Sequence, residues 1–285
     1  IFIVAFLVIM FAPVQTKDFT FDLNINLSRN VSKVKELADG VDYLFFNGDA
    51  NFPINVGTRV GHRLGEIYAK NLYKRDENGN MIVNKQGRPT KVSGEDAFQY
   101  TLDHPIGNIE PDLLMSVSPS FTYKGFTLSA LFDMKFGGDI VSVSEAMATS
   151  TGLAARTANR GNAENGWKIV APGVTADGTV NSTAMNAQRY YTSMSGMAEE
   201  FVYDASFIKL KELSLGYSFP KSILKKTPLT SLNVAFVARN LAYLMKHTPG
   251  TSPEGGYDTS MFSQAIDYMS VPYTRTFGLS INLGF

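Results

Sequence analysis

Tyr273 to Phe285 reads Y-T-R-T-F-G-L-S-I-N-L-G-F, and the rest of the chain is best read outward from it. From Phe277 onward every odd position is apolar (Phe277, Leu279, Ile281, Leu283, Phe285) and every even one is small or polar (Gly278, Ser280, Asn282, Gly284). Successive strand side chains point to opposite faces, so this period of two predicts a strand with one apolar face and one small, wettable face. In a soluble sandwich the apolar face turns to a core; in a membrane barrel it turns to lipid and the polar face lines a lumen. The alternation alone is compatible with both.

The same period recurs upstream. Phe19, Phe21, Leu23, Ile25 and Leu27 alternate with Thr20, Asp22, Asn24, Asn26 and Ser28. Asn and Asp are poor strand formers, and their repetition on one face suggests a watery surface. Met115, Val117, Phe121 and Tyr123 alternate with Ser116, Ser118, Ser120 and Thr122; after Lys124-Gly125, Phe126 to Met134 resumes the pattern. A two-residue interruption containing Gly predicts a tight hairpin, and Pro119, which has no N–H for a ladder, predicts a bulge in its first arm. In Phe207 to Phe219, Ile208 and Leu210 are in one phase while Leu213, Leu215, Tyr217 and Phe219 are in the other. A bulge near Lys211 and Glu212 reconciles them. Leu232, Val234, Phe236 and Ala238 carry a further strand. Short connections such as the basic turn Pro220 to Pro228 alternate with long ones, the asymmetry of outer-membrane barrels. The terminal Phe285 also resembles the C-terminal signal by which such barrels are recognised and inserted, with Phe277, Leu279, Ile281 and Leu283 as its apolar row.

Other stretches are less regular. Ile1 to Ala12 is continuously apolar, which fits a strand buried on both faces or a signal-like start lacking its charged beginning. Val31 to Leu37 suggests a short helical turn, Val41 to Phe46 a short strand, and Gly61 to Tyr73 another. Asp76 to Asn80 reads as a turn; its acidic residues do not alternate as a calcium loop requires. Residues 140–202 break the alternation, with Val143 to Asn159 helical by its Ala and Met content. A connection this long is normally functional or disordered, and in a barrel it is an extracellular loop.

Composition narrows the function. With 26 basic and 26 acidic residues, the chain offers no electrostatic case for nucleic acid. The absence of Cys removes disulfides, thiolate metal sites and thiol catalysis. No window reaches the roughly 18 apolar residues of a membrane helix, so any bilayer contact is made by strands. His62, His104 and His247 lack metal-ligand spacing. Ser206 to Lys209 and Ser222 to Lys225 match S-x-x-K without the companion motifs of that class. The expectation is no enzyme, no cofactor and no metal.

Several stretches together resemble the C-terminal part of the SusC/RagA family of TonB-dependent outer-membrane transporters. They are P-V-Q-T-K-D-F-T-F-D-L-N-I-N-L-S-R-N (13–30), Y-K-G-F-T-L-S-A-L-F-D with F-G-G-D-I (123–140), A-P-G-V-T-A-D-G-T-V-N (171–181), D-A-S-F-I-K-L-K-E-L-S-L-G-Y-S-F-P (204–220), A-R-N-L (238–241) and R-T-F-G-L-S-I-N-L-G-F (275–285). Pro253-Glu254 resembles the end of a family D-P-E motif, with Ser252 where the Asp would stand.

The resemblance implies an all-β chain: about eight or nine antiparallel strands at the C-terminal end of a barrel of about 22, with the plug domain and N-terminal strands absent. Residues 1–285 would form that segment and 140–202 a long extracellular loop. It implies import of a glycan or peptide across the cell outer membrane, a SusD-like lipoprotein lid, the TonB-ExbB-ExbD complex as energy source, and outer-membrane lipid around the wall. Polar lumen candidates are Asn24, Asn26, Asn233, Arg239, Ser280 and Asn282. Trp167, Tyr190, Tyr191 and Tyr257, with Arg239, are the candidate substrate contacts, since a flat ring stacks on a sugar face. Loop packing is the competing role of each aromatic. The alternative function is a secreted or surface all-β module that binds a glycan or a partner.

Overall fold

The computed structural model describes residues 2–47, 53–256 and 263–285. Seven long strands form one sheet: β1 (Phe2–Gln15), β2 (Phe19–Ser32), β3 (Leu113–Tyr123), β4 (Phe126–Phe136), β5 (Phe207–Ser218), β6 (Ser231–Lys246) and β7 (Thr276–Gly284). Each pairs antiparallel with the next in chain order, and β1 and β7 are the two open edges. The short stretches at Val41 to Phe46 and Gly61 to Tyr73 belong instead to smaller sheets, as Tyr43–Asn47, Glu66–Ala69 and Asn71–Tyr73.

The register realises the alternation seen in the sequence. Leu23 lies opposite Pro119, Ile25 opposite Val117, Leu128 opposite Phe121 and Leu215, and Phe236 opposite Leu215 and Leu279. Cross-strand partners share a face, so these residues make one apolar surface. It is open: Phe277 is 63% exposed, and Phe121, Phe126, Leu128, Leu215, Phe236, Leu279, Ile281 and Leu283 are also exposed. Phe21 stacks on Phe121 with ring centroids 4.5 Å apart, and Phe126 meets Tyr217 at the same distance.

A bulge keeps β5 in phase. Phe132 pairs with Leu210 and Leu131 with Glu212, so Lys211 is the extra residue. Ile208, Leu210, Leu213, Leu215 and Tyr217 thereby all reach the apolar face despite their two phases in the sequence. Pro119 causes no such shift. The β3–β4 register is the same on either side of it, and the ladder is interrupted between Ser129–Ser120 and Phe132–Val117. A gap in bonding rather than an extra residue absorbs the missing donor.

The turns divide by length. β1 joins β2 through residues 16–18, and β3 joins β4 through Lys124 and Gly125, whose φ values of 47° and 90° suit the twist of a two-residue hairpin. β5 and β6 are linked by 219–230, which includes the short helix Lys221–Leu224. The other three connections, 33–112, 137–206 and 247–275, are long and lie at the opposite end of the sheet.

These long connections hold the buried core. One cluster joins Ile54, Val56 and Ile67 to Val141, Val143 and Ile266; another is built from Ala146, Met185, Tyr190, Tyr191 and Phe201. Helices α1 (Glu95–Asp103), α2 (Val143–Thr151) and α3 (Ala187–Met194) pack within this cap. Of the helix expected over Val143 to Asn159, only Val143–Thr151 is α-helical, capped by Ser142 Oγ, which accepts from Glu145 N at 3.0 Å; it stops at Gly152, and Ala155–Ala158 is a separate 3-10 turn. Residues 33–37 are not helical. β1 also departs from a strand buried on both faces: as an edge strand it is exposed on both, with Met10 79% accessible.

Deleting Lys211 moves Ile208 and Leu210 to the polar face and Lys209 to the apolar one. In the native gene this deletion is expected to abolish the heat-shifted folded form on a gel, whereas Lys211→Ala retains it. A deletion variant that assembles normally would show that the bulge does not set the phase.

Candidate functional site

The polar face of the sheet runs from β2 to β7, while β1 sets Met10 and Val8 beside Asn24 and Asn26 on that face. Asn24 and Asn26 lie opposite Ser118 and Ser116, Ser129 opposite Ser120 and Ser214, and Asn233 opposite Ser218 and Asn282. Ser280 lies opposite Ala235, and Arg239 is flanked by Glu212 and Thr276. The six residues read from the sequence as one polar surface therefore share one face. Its side chains bond to each other: Asn26 Nδ2 donates to Ser116 Oγ at 3.1 Å and Asn233 Nδ2 to Ser218 Oγ at 2.8 Å. The bulge sets two charges side by side here. Lys211 Nζ donates to Asp133 Oδ2 at 2.6 Å, and Glu212 Oε2 accepts from Arg239 Nε at 2.8 Å.

The cap is fastened to this polar face, which identifies it as the inner one. Asn30 and Ser32 at the end of β2 both donate to the Glu110 carboxylate, and where the second connection leaves and rejoins the wall its own ends are tied by Gly137 N donating to Ser206 Oγ at 2.8 Å. The strongest fastening is Lys209, whose side chain is 3% exposed. Its Nζ lies 2.6 Å from Glu254 Oε2 and 4.6 Å from the centre of the Tyr273 ring. Tyr243 OH also donates to Glu254 and lies 2.7 Å from Ser252 Oγ. The Pro253-Glu254 pair therefore ties the third long connection to β5 and β6. The sequence offered one signal for this: Lys209 is a charge set between the apolar Ile208 and Leu210.

The three connections are also tied to one another. Val141 and Ser142 pair in parallel with Ile266 and Asp267, and Ser142 Oγ donates to Asp267 Oδ2 at 2.7 Å. Tyr73 N donates to Glu199 Oε1 at 2.7 Å, and Arg75 pairs with the same carboxylate at 2.8 Å. Arg156 joins Glu200 at 3.1 Å, donates to Tyr203 OH at 2.6 Å and stacks over Phe201 at 5.0 Å. Burial pushes the phenols of Tyr190 and Tyr203 up to about 12, so both stay neutral donors and acceptors across physiological pH. Asp139 accepts from Asn108 N at 2.8 Å, yet desolvation raises its carboxyl above the usual range, with the nearby Asp204 charge adding to the rise.

The aromatic set read from the sequence does not assemble into one surface. Tyr190 and Tyr191 are each 7% exposed and lie in the cap core; Tyr191 OH donates to the carbonyls of Arg156 and Asn159. Neither ring is open to a ligand, because both complete the packing between α2 and α3. Trp167 is 50% exposed, at φ 56°, with its carbonyl accepting from Ala187 N. Tyr257 lies outside the described residues. Arg239 is on the inner face, paired with Glu212 as above.

Ser206 and Lys209 serve different fastenings and form no nucleophile–base pair. Among the described residues no group of three or more His, Asp or Glu side chains converges as a metal site, and no helix is long and apolar enough to cross a membrane.

No family model matches the sequence. The chain is 27% identical to TonB-dependent receptor P3 of Formosa agariphila, over 95% of its own length and 27% of that receptor's. It is 26% identical to the TonB-dependent receptor SusC of Bacteroides thetaiotaomicron, over 96% of its own length and 25% of SusC's. The chain is thus similar to a segment of TonB-dependent receptors of the SusC kind. Its fold agrees. The RagAB peptide importer in its open-open state covers all of this chain with a TM-score of 0.65 at 19% identity, and the chain covers 28% of that structure. The chain spans about a quarter of the length of the curated relatives it matches. TonB-dependent receptors of the SusC and RagA kind are outer-membrane proteins, and an exposed apolar sheet face is the kind that a barrel wall turns to lipid.

Glu254→Gln leaves the buried Lys209 charge without its partner, at a cost of about 3–5 kcal/mol. Faster amide exchange is expected in 247–256 with strand exchange unchanged; an unaltered pattern would mean the pair does not fasten the cap. Asp139 behaves oppositely to a paired acid. Its folded pKa lies above the unfolded value, so ionisation costs stability at neutral pH, and that cost disappears as pH falls through the raised pKa into the ordinary carboxylate range. Asp139→Asn is therefore expected to slow exchange at Gly107–Asn108 relative to wild type at pH 7 and to lose this advantage near pH 4.

Proposed function

We propose that this segment supplies part of the wall and cap of an outer-membrane transporter that imports a glycan, oligosaccharide or peptide. The observation that carries the reading is the two-faced sheet: its open face is apolar throughout β2 to β7, and its other face is polar and fastened beneath a folded cap. Only a solvent that is itself apolar accepts the first face without a second packing layer.

In this reading residues 1–285 are the C-terminal segment of the barrel, and 140–202 lie outside the cell with the rest of the cap. Phe277, Leu279, Ile281, Leu283 and Phe285 face lipid and act as the insertion signal. Trp167 and Arg239 remain the ligand contacts, one on the cap and one on the inner wall. A SusD-like lipoprotein closes over the cap, and TonB-ExbB-ExbD delivers the energy through parts of the receptor beyond this segment. The work is capture and passage; it needs no covalent chemistry from this chain. SusC and the RagAB peptide importer support the reading, the latter suggesting a peptide as substrate. A soluble binding module would need a layer packed on the apolar face, and the described residues provide none.

Arg placed at a bilayer midplane costs about 2–4 kcal/mol on a lipid-facing position and little on a lumen-facing one. Leu279→Arg in the native gene is expected to deplete the receptor from the outer-membrane fraction, while the adjacent Ser280→Arg leaves it there. Equal behaviour of the two variants would refute the assignment of faces. Loss of growth on a single glycan or peptide source after deletion of the gene, reproduced by deletion of tonB, tests import itself.

A further inference from the structure

A groove of about 710 Å³ opens on the cap between the turn at residues 84–88 and the first turns of α3. The size is within the range of small-ligand clefts. Arg88 stands on one wall and Arg189 on the other. No Asp or Glu lines the groove, although acids and bases are equal in number over the whole chain. Elsewhere in the cap, Arg59, Arg63, Arg75 and Arg156 each pair with a carboxylate. Neither Arg88 nor Arg189 has an ion-pair partner among the described residues.

Both arginines are mounted on turns whose backbone is already fixed. Asn84 Oδ1 accepts from Gln86 N and Arg88 N, each at 3.0 Å. Gly87 follows at φ 73°, so close to the Thr183 carbonyl that a Cβ would not fit. Across the groove, Asn186 Oδ1 caps α3 by accepting from Arg189 N at 3.1 Å. These local bonds use both lone pairs of Asn84 Oδ1 and one of Asn186 Oδ1. What remains for a ligand is rich in donors: two guanidinium groups, the Asn Nδ2 groups, and the side chains of Gln86, Gln188 and Thr192. A complementary ligand therefore carries acceptors and negative charge, and carboxylate or sulfate matches the guanidinium fork. Met185 is the one large apolar side chain in the lining, so there is little to hold the side chains of a peptide.

We propose that this groove binds an acidic saccharide, through carboxylate or sulfate groups held by Arg88 and Arg189. The inference goes beyond the transport reading, because it concerns binding at the cap whether or not passage follows.

The test uses the full-length receptor purified in detergent, titrated calorimetrically with oligogalacturonate, a sulfated galactan oligosaccharide, a neutral galactan oligosaccharide and oligoglutamate. The expected result is that at least one acidic saccharide binds, more tightly than the neutral one and more weakly as salt rises. Its affinity should fall at least tenfold in the double variant Arg88→Gln/Arg189→Gln, with the heat-shifted form of the receptor retained. The carboxylate and sulfate arms identify which group is read. Equal binding of acidic and neutral saccharides, absence of binding by either acidic one, an unchanged affinity in the folded double variant, or a preference for oligoglutamate overturns the proposal. These titrations need no transport, so failure of import in cells leaves them interpretable, and their failure leaves the cellular test standing.

Discussion

A peptide group in hydrocarbon has no water to bond, so a strand that meets lipid must satisfy its backbone against the neighbouring strands. The antiparallel pairing of each strand with the next from β1 to β7 follows from this constraint, and much of the remaining structure follows from the ladder. Once register is fixed by backbone pairing, a side chain has only two directions available, and one residue too many or too few exchanges them. Lys211 shows how narrow the tolerance is. Its insertion keeps five apolar residues of β5 towards one solvent and places two charges towards the other, where Asp133 and Arg239 neutralise them.

This constraint turns the usual soluble arrangement inside out. The long strands expose large apolar side chains, while the core that would mark an ordinary globular domain lies in the connections at one end. The cap coheres through many short elements: a three-stranded sheet of Asp139–Ser142, Val202–Asp204 and Ile266–Asp267, helices α2 and α3 against each other, and carboxylates bridging separate connections. It grips the wall through polar-face residues such as Asn30, Ser32 and Lys209, which fit the wetter side of the sheet.

The wall was legible in the sequence because its signal is local. Period-two alternation in Phe19 to Leu27, in Met115 to Met134 and in Phe277 to Phe285 is visible in a window of ten residues, and so is the phase change at Lys211. Pro119 misled because a missing donor has two remedies, a bulge or an unpaired rung, and the choice depends on neighbouring strands. The cap was scarcely legible. Val141 meets Ile266, and Tyr73 meets Glu199, across separations that no local pattern encodes. Tyr190 and Tyr191 illustrate the consequence: their composition suits a sugar platform, but their position on the inward side of α3 makes them core. The groove between Arg88 and Arg189 was equally hidden, since its walls come from a turn and a helix about a hundred residues apart.

The parallel pairing of Val141 and Ser142 with Ile266 and Asp267 also bears on the order of assembly. Contacts between distant parts of a chain must first overcome the entropy of closing the loop between them, so they form late. The central sheet of the cap joins its second connection to its third, and it stays one strand short until residues 263–267 have arrived. Completion of the cap is thus tied in time to arrival of the last hairpin, β6 and β7, and a partly formed wall carries an unfinished cap.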